Sequence, residues 1–211
     1  MTFPRVALVG FAALLAAACA NPAKGKPQAE IGAPHAPPSG AAEGAVRYGF
    51  SNDGSRIGFV GSKVTGSHEG SFAIFAGTVD LVGGDPARSS VVVDADAASI
   101  VIPDNPRLTA HLKSADFFDG ATFPKVHFQA TEIRRATTGT DAYTVVGNLE
   151  MHGVTKAITF PASIRIGPAV EVDAEFSINR KDFGINYAGK ADDLIRDEVL
   201  LRISVRARRP A

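Results

Sequence analysis

The sequence predicts an all-β domain, and three observations carry that prediction. From Val46 onward, short runs alternate apolar and polar side chains. Turn residues separate these runs, and almost no stretch has a helical repeat. Eight or nine such runs fit between residues 46 and 209, which is the spacing of a closed barrel or a sandwich.

In chain order, the first strand is expected at 46–50. The next is 55–64, with Ile57 and Phe59 on one side, and then 71–82, where Phe72 and Ile74 oppose Phe75, Val79 and Leu81. Strands at 90–102, 126–133, 143–151, 156–166 and 170–178 follow the same rule. The cleanest alternation is at 199–206, where Val199, Leu201, Ile203 and Val205 interleave with Leu200, Arg202, Ser204 and Arg206. One segment breaks the pattern. Asn105 offers an N-cap, Pro106 suits the first helical position, and Leu108 and Leu112 fall four apart, so a short helix is expected over 106–114. Gly58, Gly61, Gly77 and Gly147 interrupt strands, where glycine marks either a bend or a close approach by a ligand or another backbone. A barrel of about eight strands is either filled by its own side chains or holds one slender ligand, and composition alone leaves both open.

The chain ends differ from this domain. The positive start at Arg5, the apolar run 6–15 and the small residues Ala16, Ala17 and Ala18 before Cys19 have the layout of a secretory signal. The run is too short for a transmembrane helix, which needs about 20 apolar residues. With a cysteine at the cut, residues 1–18 resemble a bacterial lipoprotein signal. The mature chain would then begin at a lipidated Cys19 on the periplasmic face of a membrane, where two or more acyl chains anchor stably. Residues 20–45 are built from Ala, Pro and Gly with Ile31 as the one large apolar residue, so a disordered tether is expected there. The folded domain is then 46–209.

Composition also excludes function classes. Of 211 residues, 22 are basic and 22 acidic, and formal neutrality argues against a nucleic-acid partner. A single cysteine excludes an internal disulfide and any multi-thiolate metal site. No other set of residues at ligand spacing suggests a metal or a cofactor: His127 and His152 sit among apolar strand residues, and the Asp116–Gly120 run lacks the acidic spacing of a calcium loop. His111, Ser114 and Asp116 could be arranged as a hydrolase triad. However, neighbours three apart on a helix arise by default, and no Gly-x-Ser-x-Gly elbow is present, so His111 is expected to be a helix-surface histidine and no enzyme activity is assigned.

Several ordered blocks carry a resemblance. They are Gly70-Ser-Phe72 with Phe75-Ala-Gly77, then Leu108-Thr-Ala-His-Leu-Lys-Ser-Ala-Asp-Phe-Phe-Asp119, Phe123-Pro124 and Phe128. Val146-Gly-Asn-Leu149, Gly153-Val-Thr-Lys156 and Ile178-Asn-Arg-Lys-Asp-Phe-Gly-Ile185 complete the series. In this succession they resemble the YceI-like family over nearly all of 46–209. The resemblance implies an extended, antiparallel, eight-stranded lipocalin-like barrel, usually exported. It implies binding of a long isoprenoid lipid, a polyprenyl chain or quinone tail, in an apolar tunnel for transport, storage or stress protection in the cell envelope. An apolar channel suits such a chain, because burial at about 25 cal/mol per Å² supplies affinity without directional bonds.

By position in these motifs, the tunnel wall is expected to include Leu112, Phe117, Phe118, Phe123, Phe128, Leu149, Phe176, Ile178, Phe183 and Leu194, with Phe118 and Phe183 foremost. Each has ordinary barrel core as its alternative. Arg180 either contacts a polar head group through its fork of donors or forms a salt bridge with Asp116 or Asp119. The expected partners are an isoprenoid lipid or quinone and a membrane reached through Cys19. A homodimer is compatible with the sequence, which equally leaves open an envelope enzyme acting on a lipid or a solidly packed structural lipoprotein.

Overall fold

A computed structural model of the chain describes residues 21–36, 43–140 and 142–210. Its strands are β1 (Glu30–Gly32), β2 (Ala45–Ser51), β3 (Arg56–Lys63), β4 (Gly66–Phe72), β5 (Phe75–Val82), β6 (Asp85–Asp96) and β7 (Ile100–Val101), followed by helix α1 (Pro106–Leu112). After the helix come β8 (Lys125–Arg135), β9 (Ala142–Met151), β10 (Val154–Ile166), β11 (Val170–Asn179), β12 (Gly189–Lys190), β13 (Asp193–Leu194) and β14 (Glu198–Ala207). A 3-10 turn spans Arg180–Phe183.

The strands pair antiparallel in the order β2-β5-β6-β8-β9-β10-β11-β14-β3-β4-β7. The pairs β2/β3, β4/β5 and β6/β7 are each one long strand bent in the middle, so the sheet is a meander of eight long strands. The last strand returns to the first: Leu200 lies opposite Val60 and Ser204 opposite Arg56, and Gly49 and Arg208 exchange both backbone bonds at 2.8 Å. This is the all-β barrel expected from the alternation. Closing the sheet on itself removes most of the exposed strand borders on which sheets aggregate.

Sequence chemistry explains the connections. His152 and Gly153 both have positive φ, 53° and 72°, and form the two-residue turn between β9 and β10 that matches strand twist. His152 is therefore a turn residue and not the strand residue expected. The α1 start is also as the sequence predicts, with the Asn105 side chain accepting from the Leu108 N–H at 2.9 Å and Pro106 following it. The expected strand 71–82 is broken at Ala73 and Ile74, which leaves Ile74 exposed while Phe72 and Phe75 are buried. The polar strand β4 has too few apolar residues to show in the alternation.

The expectation of a disordered tether over 20–45 is corrected for 21–36. Strands β10 and β11 pair only near their hairpin, from Ser163 opposite Asp173 to Ile166 opposite Val170. Beyond that point the N-terminal segment occupies the seam between them. β1 pairs with Ala157–Thr159 of β10, while Ala29 donates to Ser177 O and Ser177 donates to Pro27 O, both at 2.8 Å. Lys26 forms an ion pair with Glu175, Ala29 is buried, and Asn148 grips the backbone of His35 from both sides. Composition alone misses this strap because backbone hydrogen bonds to an open strand edge require no apolar side chains. The signal segment 1–18 and Cys19 lie outside the described residues.

Candidate ligand-binding site

Inside the barrel lies one large cavity of about 730 Å³. That volume is within the range of small-molecule sites, about 300–1,000 Å³. Inward-pointing residues of nearly every strand form its wall. Val199, Leu201, Ile203 and Val205 of β14 all face it, as the period-two alternation requires, while Leu200 is buried away from it. Phe160 and Phe176 stack with centroids 4.2 Å apart and planes 14° apart, and Phe128 tilts against Phe160 at 5.8 Å. Phe50, Phe59, Phe72, Val145 and Ile164 complete much of the lining. Gly147 belongs to this wall indirectly: a Cβ there would lie 2.4 Å from the Phe128 ring, so the glycine makes room for that aromatic.

Polar side chains line the cavity at one end only. They are Lys63 and His68 from the β3–β4 hairpin, Asn105, Arg107 and His111 from the start and body of α1, Arg180 from the 3-10 turn, and Arg196 just before β14; Ser62 also borders the cavity, on the strand face opposite to that of Gly61 and Lys63. Contacts join these elements into one rim. The His111 ring stands edge-on to Tyr187 at 5.0 Å, Ile195 donates to Ala188 O at 3.0 Å, and Arg196 donates its backbone N–H to Ser62 O at 2.9 Å. No carboxylate is among the lining residues.

The expected wall residues divide. Leu112, Phe117, Phe118, Phe128, Leu149, Phe176 and Ile178 line the cavity. Phe123, Phe183 and Leu194 do not. Phe123 packs on the His152 ring at 4.9 Å, against the open face of Gly153. Phe183 is fully buried in the core behind the 3-10 turn, and Leu194, in the two-stranded ribbon β12–β13, is 50% exposed. Phe123 and Phe183 lie outside the strands, where sequence carries no facing rule, and Leu194 lies in a two-residue strand too short to show an alternation. Phe59, Phe160 and the β14 face were within reach of the alternation, whereas Ser62, His68, Arg107 and Arg196 had no signal at all.

Arg180 is a brace. It is 4% exposed, and its guanidinium donates to the carbonyls of Arg196 (3.1 Å), Ile185 (2.6 Å) and Ile195 (3.5 Å) and to the Asp197 carboxylate (3.3 Å). The salt bridge expected to Asp116 or Asp119 is therefore made to Asp197. Burial lowers the Arg180 pKa from its ordinary value, with Asp197 acting in the opposite direction. Four of five donors are engaged, which leaves little to offer a head group. The triad geometry is also absent: His111 Nε2 meets Asp116 Oδ2 at 2.7 Å, but the Ser114 hydroxyl donates to the His111 backbone carbonyl, not to its ring. His127 pairs with Asp94 across β8 and β6 at 2.9 Å, and among the described residues no three His, Cys, Asp or Glu side chains gather as a metal site.

The sequence pattern of the YceI-like domain matches residues 48–207. The chain belongs to the YceI-like family. Curated relatives include a UPF0312 protein of Pseudomonas putida F1, 32% identical over 57% of this chain, and one of Pseudomonas fluorescens SBW25, 30% identical over 63%. The match spans 65% of the P. putida protein and 71% of the P. fluorescens one. Among solved structures, BcnA of Burkholderia cenocepacia superposes with a TM-score of 0.66 at 23% identity, covering 74% of this chain and 97% of that one. A polyisoprenoid-binding domain from Saccharophagus degradans superposes at 0.63 and 17% identity, covering 77% and 98%. At such identities the likeness supports the YceI-like barrel and nothing finer.

Proposed function

We propose that this YceI-like protein binds one long isoprenoid chain, of polyprenyl or quinone type, in the barrel cavity and carries or stores it in the cell envelope. The observation that carries the reading is the 730 Å³ cavity with an apolar wall and a single polar end. A void of this size left dry would forfeit the packing contacts of its whole lining, which favours an apolar occupant. An ordered water needs two to four polar partners, and the wall offers them only at the rim. A flexible apolar chain needs none, and each 100 Å² of its surface removed from water contributes about 2.5 kcal/mol. The polyisoprenoid-binding description of the S. degradans domain, which shares the fold, supports the same ligand class.

Export and anchoring through Cys19 rest on the residues 1–19 themselves. The strap adds a constraint. With 27–32 seated between β10 and β11, only residues 20–26 separate Cys19 from the barrel, so an anchored barrel would sit close to the bilayer from which an isoprenoid is drawn. The test is displacement of a fluorescent apolar probe from the full chain by isoprenoids of increasing length. One saturable site whose affinity rises with chain length is expected. Failure of every isoprenoid to displace the probe would overturn the proposal.

A further inference from the structure

The barrel wall has one seam that its own long strands do not close. β10 and β11 pair from their hairpin as far as Ser163 opposite Asp173 and then part. Pro161 stands at the point of parting and has no N–H to give to either neighbouring strand. Continued in register, Thr159 would face Ser177. Instead the strap lies between them, with Gln28 bridged to Ser177 and Glu30 paired with Thr159, so that β10 and β11 are there two strand spacings apart, about 10 Å. Ala157 adjoins the cavity-lining Ile158, and Ser177 sits between the cavity-lining Phe176 and Ile178, so both small side chains face outward, yet both are buried. On the inner side of the same seam, Phe160 stacks on Phe176 where the strands part. One layer of side chains thus separates the strap from the cavity.

Little apolar contact holds the strap in place. Its one large apolar residue, Ile31, is 36% exposed, and among its side chains only those of Ala23 and Ala29 are buried. The rest of its attachment is backbone bonding to two strand edges, the Lys26–Glu175 ion pair and the grip of Asn148 on His35. Few buried apolar contacts and solvent-facing backbone bonds mark a segment that opens locally. Both barrel ends are tied more firmly. Arg180 braces the polar end, and at the other end Gly49 and Arg208 exchange both backbone bonds while Arg209 lies over the Tyr48 ring at 5.4 Å.

We propose that the strap is a side gate: residues 27–32 detach from β10 and β11, and the apolar chain enters and leaves the cavity sideways through the slot they uncover. The inference rests on the reading of the cavity as an isoprenoid site and adds the route by which that site fills. Entry through the polar end would draw the whole apolar chain past Lys63, Arg107 and Arg196, whereas the slot is bordered inside by Ile158, Phe160, Phe176 and Ile178. The segment that closes the slot also leads, through residues 20–26, to Cys19, so an anchored chain would pull on the gate directly.

The test locks the gate. Glu30 and Thr159 are register partners, within the span of a disulfide, so Glu30→Cys with Thr159→Cys should join the strap to β10 on oxidation. The full chain carries Cys19→Ser throughout, so that no third thiol competes. Glu150→Cys with Thr155→Cys, exposed partners across the continuous β9–β10 pairing, is the control. Uptake and release of a fluorescently tagged alkyl chain, and its displacement by an isoprenyl alcohol, are followed in oxidised and reduced protein. The oxidised lock should slow both uptake and release about tenfold or more while Kd stays within about twofold. Reduction should restore the rates, and the control should change neither quantity. In the unlocked chain, the amides of Ala29 and Ser177 should exchange with solvent faster than those of β14 that face β3. Unchanged rates in the locked protein, equal slowing in the control, weaker binding without slower release, or strap amides as protected as those of β14 would each overturn the gate while leaving the isoprenoid reading in place. Failure of the isoprenyl alcohol to displace the alkyl chain from the unlocked protein would instead overturn the isoprenoid reading.

Discussion

The strand wall of the cavity and its polar rim are two different kinds of construction. The wall is made by repetition: inward side chains of β3, β8, β9, β10, β11 and β14 meet in aromatic and aliphatic contacts such as the Phe160–Phe176 stack. The rim is made by the chain leaving the sheet, in the β3–β4 hairpin, in α1 and in the 180–197 excursion, and it is held by individual polar bonds centred on Arg180. The difference teaches that the two ends are built by separate means: the wall presents a continuous apolar surface, whereas the rim carries the polar residues of the cavity.

The largest effect should come from obstructing the wall without destabilising it. Ala174 faces the cavity from β11, and Ala174→Phe places a ring in space that is otherwise open. Isoprenoid uptake is expected to drop at least about tenfold while the melting temperature of the emptied protein stays level or rises. Loss of folding together with loss of uptake would show that the space is tighter than described.

Phe183 and Phe118 separate core from site next. Phe183 is fully buried and off the cavity, so Phe183→Ala should lower stability by about 3–5 kcal/mol with little change in the affinity of the remaining folded protein. Phe118 is half-buried, lines the cavity and stands edge-on to Phe72 at 6.0 Å, so Phe118→Ala should cost less stability and more affinity. Chemical denaturation and probe titration of both variants should give opposite rankings. The same ranking in both assays would collapse the distinction.

At the rim, Arg180→Met removes a buried cation and leaves the carbonyls of Ile185, Ile195 and Arg196 unpaired. A loss of about 3–5 kcal/mol is expected, together with faster amide exchange confined to 185–197. Exchange spread over β14 and β11 would mean that rim and wall are one unit.

The smallest effect belongs to neither end. On the outside of β2 and β5, Arg47 binds Asp80 through two bonds of 2.7 and 2.8 Å and holds its carboxyl below the ordinary carboxylate range. A carboxyl depressed in the folded state contributes stability above its unfolded pKa, near 3.9, which is lost as pH falls through the folded value. Asp80→Asn should therefore flatten the acid limb of the stability curve below about pH 4 and leave ligand uptake unchanged, as acid denaturation monitored by circular dichroism would show.

Much of the wall was legible in the sequence because a strand has a facing rule. The alternation at 199–205 points four side chains inward, and all four line the cavity. Motif position was a weaker guide: it identified Phe117, Phe118, Phe128 and Phe176 correctly but also Phe123 and Phe183, which sit outside the strands where no rule relates neighbours to a face, and Leu194, whose two-residue strand is too short to show one. The rim was not legible. Ser62 and Arg196 meet through a backbone bond between residues far apart in the chain, and nothing local marks either one. The strap was hidden for the same reason, since its ordering comes from the open edges of β10 and β11 and not from its own Ala-, Pro- and Gly-rich composition.

The most direct measurement is native mass spectrometry of the full-length protein purified from bacterial membranes, followed by extraction and identification of what it carries. The proposed function predicts one long isoprenoid per chain, bound to the wild type and missing from Ala174→Phe. Wild-type protein that emerges with only water in its barrel, or with the same lipids as the obstructed variant, would contradict the account.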